Sequence, residues 1–378
     1  MTVARAIGSI LPIVNSRYAA SERVLIQVGP ARGSGGIADV MRAIDDWARR
    51  QGRPSRVINT SCDGGPAKRL VVGIAGVARA AVCILAVPHS LVHVHSASYG
   101  SFLRKSLVIS AAHRLRRPLV VHIHGGEFAV YVANGSSWRR ARVSRALQRA
   151  DTVIVLNETV EHTLRDLEPR ADVRILENPA TLVCGVATDP TSRQVLFLGH
   201  LERHKGIDVL LQAIGKLQAD GLDADFVLAG DGEVERTRAV ASHLPHPEHV
   251  HIPGWLDTER VHQVLHESSI FCLPSRAEGL PMALLQAMGH GLACVVTPVG
   301  GMGRLVDDGE TGRIVPADDA RALAIALGEL LRDRDLRASL GARAFSLIQD
   351  KYTPETVMRH LDAIYRDILD RRSARAVP

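Results

Sequence analysis

The sequence predicts an α/β protein built from two doubly wound, Rossmann-like parallel-sheet domains that face each other across a cleft. Three observations carry that expectation. Apolar, β-branched runs alternate with helix-period segments along the whole chain. The runs fall into two series, divided once by a polar, proline-containing stretch at 178–194. The 378 residues are 46% hydrophobic and 23% charged, enough for two cores of ordinary size. Aromatics make up only 4%, so those cores should be aliphatic.

The first series runs RVLIQV (23–28), SRVINT (55–60), LVHVHS (91–96), LVVHIH (119–124), TVIVLN (152–157) and VRIL (173–176). The second runs VLFLG (195–199), DFVLAG (225–230), HVHIPG (249–254), SIFCLP (269–274), LACVV (292–296) and GRIV (312–315). Helical patterns such as IDVLLQAIGKLQ (207–218) lie between them. Strand–helix–strand alternation implies parallel strands joined by right-handed crossovers. The expected units are therefore residues 1–180, residues 181–353, and a closing helix within 354–378. That helix has Pro354 near its first turn and should pack back toward the first domain.

Composition narrows the function. Cys62, Cys83, Cys184, Cys272 and Cys294 are scattered and odd in number, with no C-x-x-C pair. Reduced thiols of a cytoplasmic protein fit this better than a disulfide framework or a structural zinc site. Residues 1–180 carry 25 Lys/Arg against 13 Asp/Glu, a net +12, while the remainder is −6. A basic front half points to an anionic partner there. Nucleic acid is disfavoured, since no recognition motif accompanies the charge and stacking aromatics are scarce. An anionic membrane surface or a phosphate-bearing acceptor fits better. SSWRRARVSRALQRAD (136–151) and the helix 101–117 supply the basic residues for such a surface.

Two segments mimic membrane signals. Residues 1–20 hold Arg5 and the short apolar run AIGSILPIV, but the thiols argue against a secretory leader. LVVGIAGVARAAVCILA (70–86) falls short of the ~20 residues a span requires, and Arg79 sits near its middle. A buried core helix is expected.

In parallel sheets ligands bind beyond the carboxyl ends of the strands, so those loops carry the chemistry. After the first strand comes GPARGSGGIADV (29–40), whose Gly33, Gly35 and Gly36 let backbone approach a phosphate at a helix N-terminus. The second strand ends at Asn59 rather than an acid, which disfavours a dinucleotide. HVHS (93–96) and HIHGGE (122–127) place two histidines each on one strand face. A metal-dependent hydrolase is the rival reading. No later carboxylate or histidine completes a ligand pattern, so no metal is expected. His93 and His122 read as buried, hydrogen-bonded residues, while His124 and Glu127, beside Gly125-Gly126, can reach the cleft. In LGHLERHKGID (198–208), Arg203 and Lys205 precede a helix and suit a leaving diphosphate. HLPHPEHVH (243–251) reads as loop. The D-x-D at Asp223 and Asp225 precedes its strand and lies at the far edge. LPSRAEGLPMALLQAMGHG (273–291) places Glu278 in a Gly/Pro-marked loop just ahead of a helix.

Together, GSGGI, HIHGGEF, LGHLERHKG, LAGDGE, PSRAEGLPMALLQAMGHG and TPVGG resemble the retaining nucleotide-sugar glycosyltransferases of GT-B fold, over nearly the whole chain from about residue 23. That family includes mannosyl- and glucosyltransferases of bacterial polysaccharide and glycolipid assembly. The resemblance implies a UDP- or GDP-sugar donor, a lipid-linked or oligosaccharide acceptor, and transfer without a metal. It implies a catalytic set of His124, Glu278 and Lys205. Donor contacts would come from Gly35, Gly36, Gly199, His200, Arg203, Lys205, Gly230, Gly232, Gly254, Trp255, Glu278, Gly279, Leu280 and Gln286. His124, Gly125, Gly126 and Glu127 would lie on the acceptor side. Three departures stand out. Gln286 replaces the second acid of the family's E-x7-E pattern, His200 replaces an arginine of the diphosphate clamp, and Arg304 stands where glutamate is common. Gln286 keeps an acceptor oxygen but loses the charge. Epimerases or hydrolases of sugar nucleotides share the architecture, and the Gln286 and His200 changes keep a non-catalytic sugar-nucleotide-binding subunit open as a further reading.

Overall fold

The computed structural model describes residues 23–32, 35–62, 65–180 and 191–376. Residues 1–20, Gly33 and the linker around Cys184 lie outside them. The two strand series form two six-stranded parallel sheets.

The first sheet contains β1 (Val24–Gly29), β2 (Ser55–Asn59), β3 (Ser90–Ser96), β4 (Leu119–Ile123), β5 (Thr152–Val155) and β6 (Val173–Ile175), in the order β2-β1-β3-β4-β5-β6. Its strands alternate between two cores. Ile26, Val92, Val121 and Val153 pack beneath α2 (Pro66–Ala86), α3 (Gly100–Arg114) and α5 (Ser137–Arg149). Leu25, Leu91, Val120 and Ile154 meet α1 (Gly36–Arg50) and the closing helix α14 (Pro354–Ala376). Val357, Leu361, Ile364, Tyr365 and Ile368 of α14 recur at steps of three and four, the spacing of one helical face. The C-terminal helix thus completes the first domain's core.

The second sheet contains β7 (Gln194–Leu198), β8 (Asp225–Ala229), β9 (Val250–Gly254), β10 (Ile270–Leu273), β11 (Ala293–Val296) and β12 (Arg313–Ile314), ordered β12-β11-β10-β7-β8-β9. Chain order reverses between β7 and β10. The loops leaving those two strands therefore flank the crevice where such sheets take ligands. Asp225 opens β8 at the opposite edge, where it pairs with His249.

One expectation needs correction. α2 is not a buried core helix. Gly73, Gly76, Ala80, Cys83 and Ile84 face inward, but Leu70, Val71, Ile74, Val82 and Leu85 are exposed. Gly76 explains how the helix sits so low on the sheet, since a Cβ there would lie 2.5 Å from the Asn59 carbonyl oxygen. Composition alone reads such a helix as core, because apolar residues occupy both of its faces.

Candidate active site

The loop after β10 carries Glu278, and the turn after β7 carries Lys205. Their side chains meet, with Lys205 Nζ 2.6 Å from Glu278 Oε1. Ser275 Oγ donates a second bond to the same oxygen at 2.8 Å. Both partners are largely buried, with the Glu278 side chain 7% and Lys205 17% exposed. A buried ion pair contributes little net stability compared with apolar residues of similar volume, so its presence at a sheet's ligand edge points to chemistry.

Arg276 holds the two loops in register. Its guanidinium bonds both carboxylate oxygens of Asp208, at 2.8 and 3.0 Å, and also meets Asp318 and the Arg203 carbonyl. Its backbone N–H donates to the His204 carbonyl. These partners raise the Arg276 pKa further, so the clamp is permanently charged. Gly206, at φ 74°, ends the Arg203–Lys205 turn and lies against the Pro274 carbonyl, leaving no room for a side chain.

The Glu278 backbone is gripped from both sides. A Cβ on Gly126, from the first domain, would fall 2.0 Å from the Glu278 carbonyl carbon, and one on Gly300 would fall 2.0 Å from its oxygen. The Gly279 carbonyl accepts from Gly301 N and from Asn157 Nδ2, and the Leu280 carbonyl accepts from Asn178 Nδ2. The HIHGGE glycine Gly126 therefore serves close backbone approach across the domain boundary, and the TPVGG glycine Gly300 serves it within the second domain. Gly36 likewise reaches Met282, the first residue of α10 (Met282–Gly289).

His124 stands on this boundary, its carbonyl against Gly279. Its ring belongs to a buried chain: His124 Nε2 lies 3.0 Å from His95 Nδ1, and His95 Nε2 lies 3.2 Å from Gln27 Oε1. The Gln27 amide is oriented by its own donation to the Met41 carbonyl. Gln27 Oε1 only accepts, so His95 carries its proton on Nε2 and accepts at Nδ1. His124 must then donate from Nε2, which leaves Nδ1 a bare acceptor. That nitrogen is buried and has no partner among the described residues. His124 keeps partial exposure at the cleft, yet its ring is packed among other imidazoles, and desolvation followed by the Lys105 charge lowers its pKa to about 3. The ring is neutral at physiological pH.

His93 and His122 are buried and hydrogen-bonded, His93 to Tyr365 Oη at 2.6 Å and to His122 Nδ1 at 3.3 Å. His93, His95 and His122 bring ligand-capable nitrogens within 4.8 Å of one another. The His95 nitrogens and both His93 nitrogens are already engaged by Gln27, His124, Tyr365 and His122.

The other anticipated residues are distributed around this centre. Gly199, Gly230 and Gly232 zip the loops after β7 and β8 together, Gly230 packing against the Gly199 carbonyl and Gly232 bridging Leu201. His200 pairs with Asp231. Gly254 (φ 84°) and the exposed Trp255 end β9, two strands from the Lys205–Glu278 pair. Arg203 is 84% exposed and reaches Asp208 only at 3.8 Å, so it points away from the pair. Gln286 is half-buried on α10, and its amide has no partner among the described residues. Gly125 lies against Ser98, and Glu127 is exposed. Gly35, just ahead of α1, has open space around it. Ser275, Arg276, Asp208, Asn157, Asn178 and Gln27 were not singled out from sequence. Asn157 alone carried a signal, as the polar end of an apolar run.

Two doubly wound domains, with a cation–carboxylate pair at the second sheet's switch point, define a GT-B protein. A family model described as "Glycosyltransferase Family 4" matches residues 45–182, and one described as "Glycosyl transferases group 1" matches residues 192–333. The chain belongs to these GT-B glycosyltransferases. Phosphatidyl-myo-inositol mannosyltransferase of Mycolicibacterium smegmatis is 33% identical over 178 residues, 47% of this chain and 45% of that protein. N-acetyl-alpha-D-glucosaminyl L-malate synthase of Bacillus anthracis is 23% identical over 74% of this chain and 75% of that protein. The chain spans about half the length of the first curated relatives it matches. Among solved structures, sucrose-phosphate synthase from Thermosynechococcus elongatus superposes with TM-score 0.76 at 18% identity, over 92% of this chain and 99% of that one. HepE of Anabaena in complex with UDP-glucose gives 0.71 at 16% identity, over 92% and 100%. These likenesses establish a shared fold.

Proposed function

We propose that the protein is a retaining glycosyltransferase. It moves a hexosyl unit from a UDP- or GDP-sugar to a polysaccharide-precursor or glycolipid acceptor, without a metal ion. The observation that carries this reading is the buried Lys205–Glu278 pair at the second sheet's switch point, with the His124 carbonyl of the first domain against the neighbouring Gly279. A sugar diphosphate lying along that edge meets a carboxylate for its hydroxyls and a cation for its phosphates within one hydrogen-bond length of each other. In the reaction the anomeric carbon–phosphate oxygen bond breaks, and a bond to the acceptor oxygen forms on the same face. The acceptor proton passes to the departing phosphate. Lys205 offsets the charge that builds on the diphosphate. Glu278 accepts from the sugar, and the bare Nδ1 of neutral His124, buried in this structure, can accept a hydrogen bond from a further hydroxyl once domain movement uncovers it, adding no competing charge. Positioning between two domains supplies the rest. The UDP-glucose complex of HepE is consistent with a UDP-sugar donor.

The test is nucleotide release and product analysis with a panel of UDP- and GDP-sugars, with chelator present. Glu278→Ala and Lys205→Ala should each lower kcat by about 10²- to 10³-fold without unfolding the protein. NMR of the product should show an unchanged anomeric configuration. Full activity in both variants, an inverted product, or abolition by chelator would refute the corresponding part of the proposal. Turnover of donor without acceptor incorporation would mark a hydrolase or epimerase instead.

A further inference from the structure

The exposed side of α2 is a continuous apolar stripe. Val71, Ile74, Ala78, Val82 and Leu85 recur at steps of three and four, opposite the residues that grip the sheet, and Val71, Ile74 and Leu85 are 66%, 59% and 64% exposed. Single exposed apolar residues are ordinary, but a stripe along the length of a 21-residue helix is not. α3, packed beside it, adds exposed Leu103 and Leu107. Between α2, α3 and α5 runs a groove of about 580 Å³, lined by apolar Ala81, Leu85 and Leu107 and by Arg142, Arg145 and Arg149 together with Arg114.

Those four arginines have no carboxylate partner among the described residues. Arg142 and Arg149 bond Ser106 and Ser110, at 2.9 and 2.7 Å, and Arg145 bonds the Ala141 carbonyl. Elsewhere in the same domain, Arg174, Arg371 and Arg372 are all paired with aspartates. An apolar stripe bordered by uncompensated cations matches one kind of partner, with hydrocarbon beneath and negative charge above. We propose that α2, α3 and α5 form a monotopic docking face for an anionic phospholipid bilayer. The α2 stripe lies in the plane of the membrane at the headgroup–acyl boundary, and the groove arginines meet lipid phosphates.

Two alternatives fit less well. A second copy of the chain, docked through the same face, would press arginine against arginine. A transmembrane α2 would have to leave the sheet, yet Gly76 holds it against the β2 end and Gly73 lies against Arg104 of α3. The face also begins at the cleft. α3 follows the carboxyl end of β3, and Ser98 in that connection touches Gly125, next to His124. A lipid-linked acceptor would enter there. That last step rests on the proposed function; the docking face does not.

Vesicle flotation of the full chain tests the docking independently of any enzyme assay. The protein should float with vesicles of phosphatidylcholine and phosphatidylglycerol, stay behind with phosphatidylcholine alone, and detach as NaCl rises. Val71→Glu with Ile74→Glu should abolish flotation while melting like the parent. If that pair misfolds, Val82→Gln with Leu85→Gln should still weaken it. Arg142→Gln with Arg145→Gln should lower partitioning about 25-fold, or roughly five-fold for each arginine. The proposal is overturned if the parent ignores anionic vesicles, if the stripe variants float as well as the parent, or if the parent is a dimer that those variants dissociate.

Discussion

Gln27 acts at a distance from its own position. It never touches the cleft, yet its amide oxygen fixes the proton on His95, and His95 fixes the proton on His124. Gln27→Leu should leave transfer working but with kcat/KM down about tenfold, because His124 can then present either nitrogen and one buried polar bond is lost. Steady-state kinetics with saturating acceptor would check it, and an unchanged kcat/KM would remove Gln27 from the account. Backbone approach at this scale makes a second prediction. Gly126→Ala forces a Cβ into the Glu278 peptide, where both neighbours are backbone and cannot yield, so the domains must part and donor KM should rise steeply. Gly36→Ala meets only the flexible Met282 side chain and should be tolerated. Similar KM values for the two variants would show that the cleft is not held closed through Gly126.

At the scale of elements, β3 and β4 carry four imidazoles into one core, and α14 closes over them with Tyr365. Burial holds His93 and His124 at about pKa 3 and pushes His95 and His122 well below the ordinary 6.5. Between pH 6.5 and 3 the unfolded chain binds protons that the folded cluster refuses. Stability is therefore full above the ordinary histidine range and falls with pH below it, by on the order of 1.4 kcal/mol per pH unit for each histidine involved. Melting curves from pH 7.5 to 5 should show the decline, and His93→Gln should flatten it. A constant melting temperature would contradict the buried-neutral assignment. Tyr365→Phe strands His93 Nδ1 and should cost about 1–3 kcal/mol at neutral pH. The sequence made these elements legible, because short continuous apolar, β-branched runs are a local property. Every strand of both sheets falls within a residue or two of its run. What sequence did not show is which face of an element meets solvent, and α2 is the case in point. Nor did it show pairings made between distant segments. Lys205 and Glu278 could each be picked out from loop position, but Arg276, Ser275 and Gln27 act only through contacts that exist after folding.

For the whole molecule, the question is what holds two domains of opposite charge at a working separation. The first half of the chain is net +12 and the second net −6, so long-range attraction favours approach, but it does not set the closed geometry. Short contacts do that. Asn157 and Asn178 bond the Gly279 and Leu280 carbonyls, and Arg304, on α11 (Met302–Leu305), reaches Glu158 Oε1 at 3.0 Å and Glu177 Oε1 at 3.2 Å. Arg304 replaces an acid common in the family, and here it spans from the second domain to acids of the first. Arg304→Glu would set three carboxylates together at that junction. The groups are 39%, 47% and 23% exposed, so solvent screens them, and the loss should be about 1 kcal/mol rather than several. Donor KM should therefore rise about fivefold while the melting temperature barely moves, and solution scattering should report a more open particle. Adding Glu158→Arg to Arg304→Glu re-forms one pair in reverse and should recover most of the KM, the coupling expected of residues in direct contact. If the double variant behaves as the sum of the two singles, the Arg304 bridge does not set domain closure, and the asparagine bonds with the Gly126 contact are left to do so.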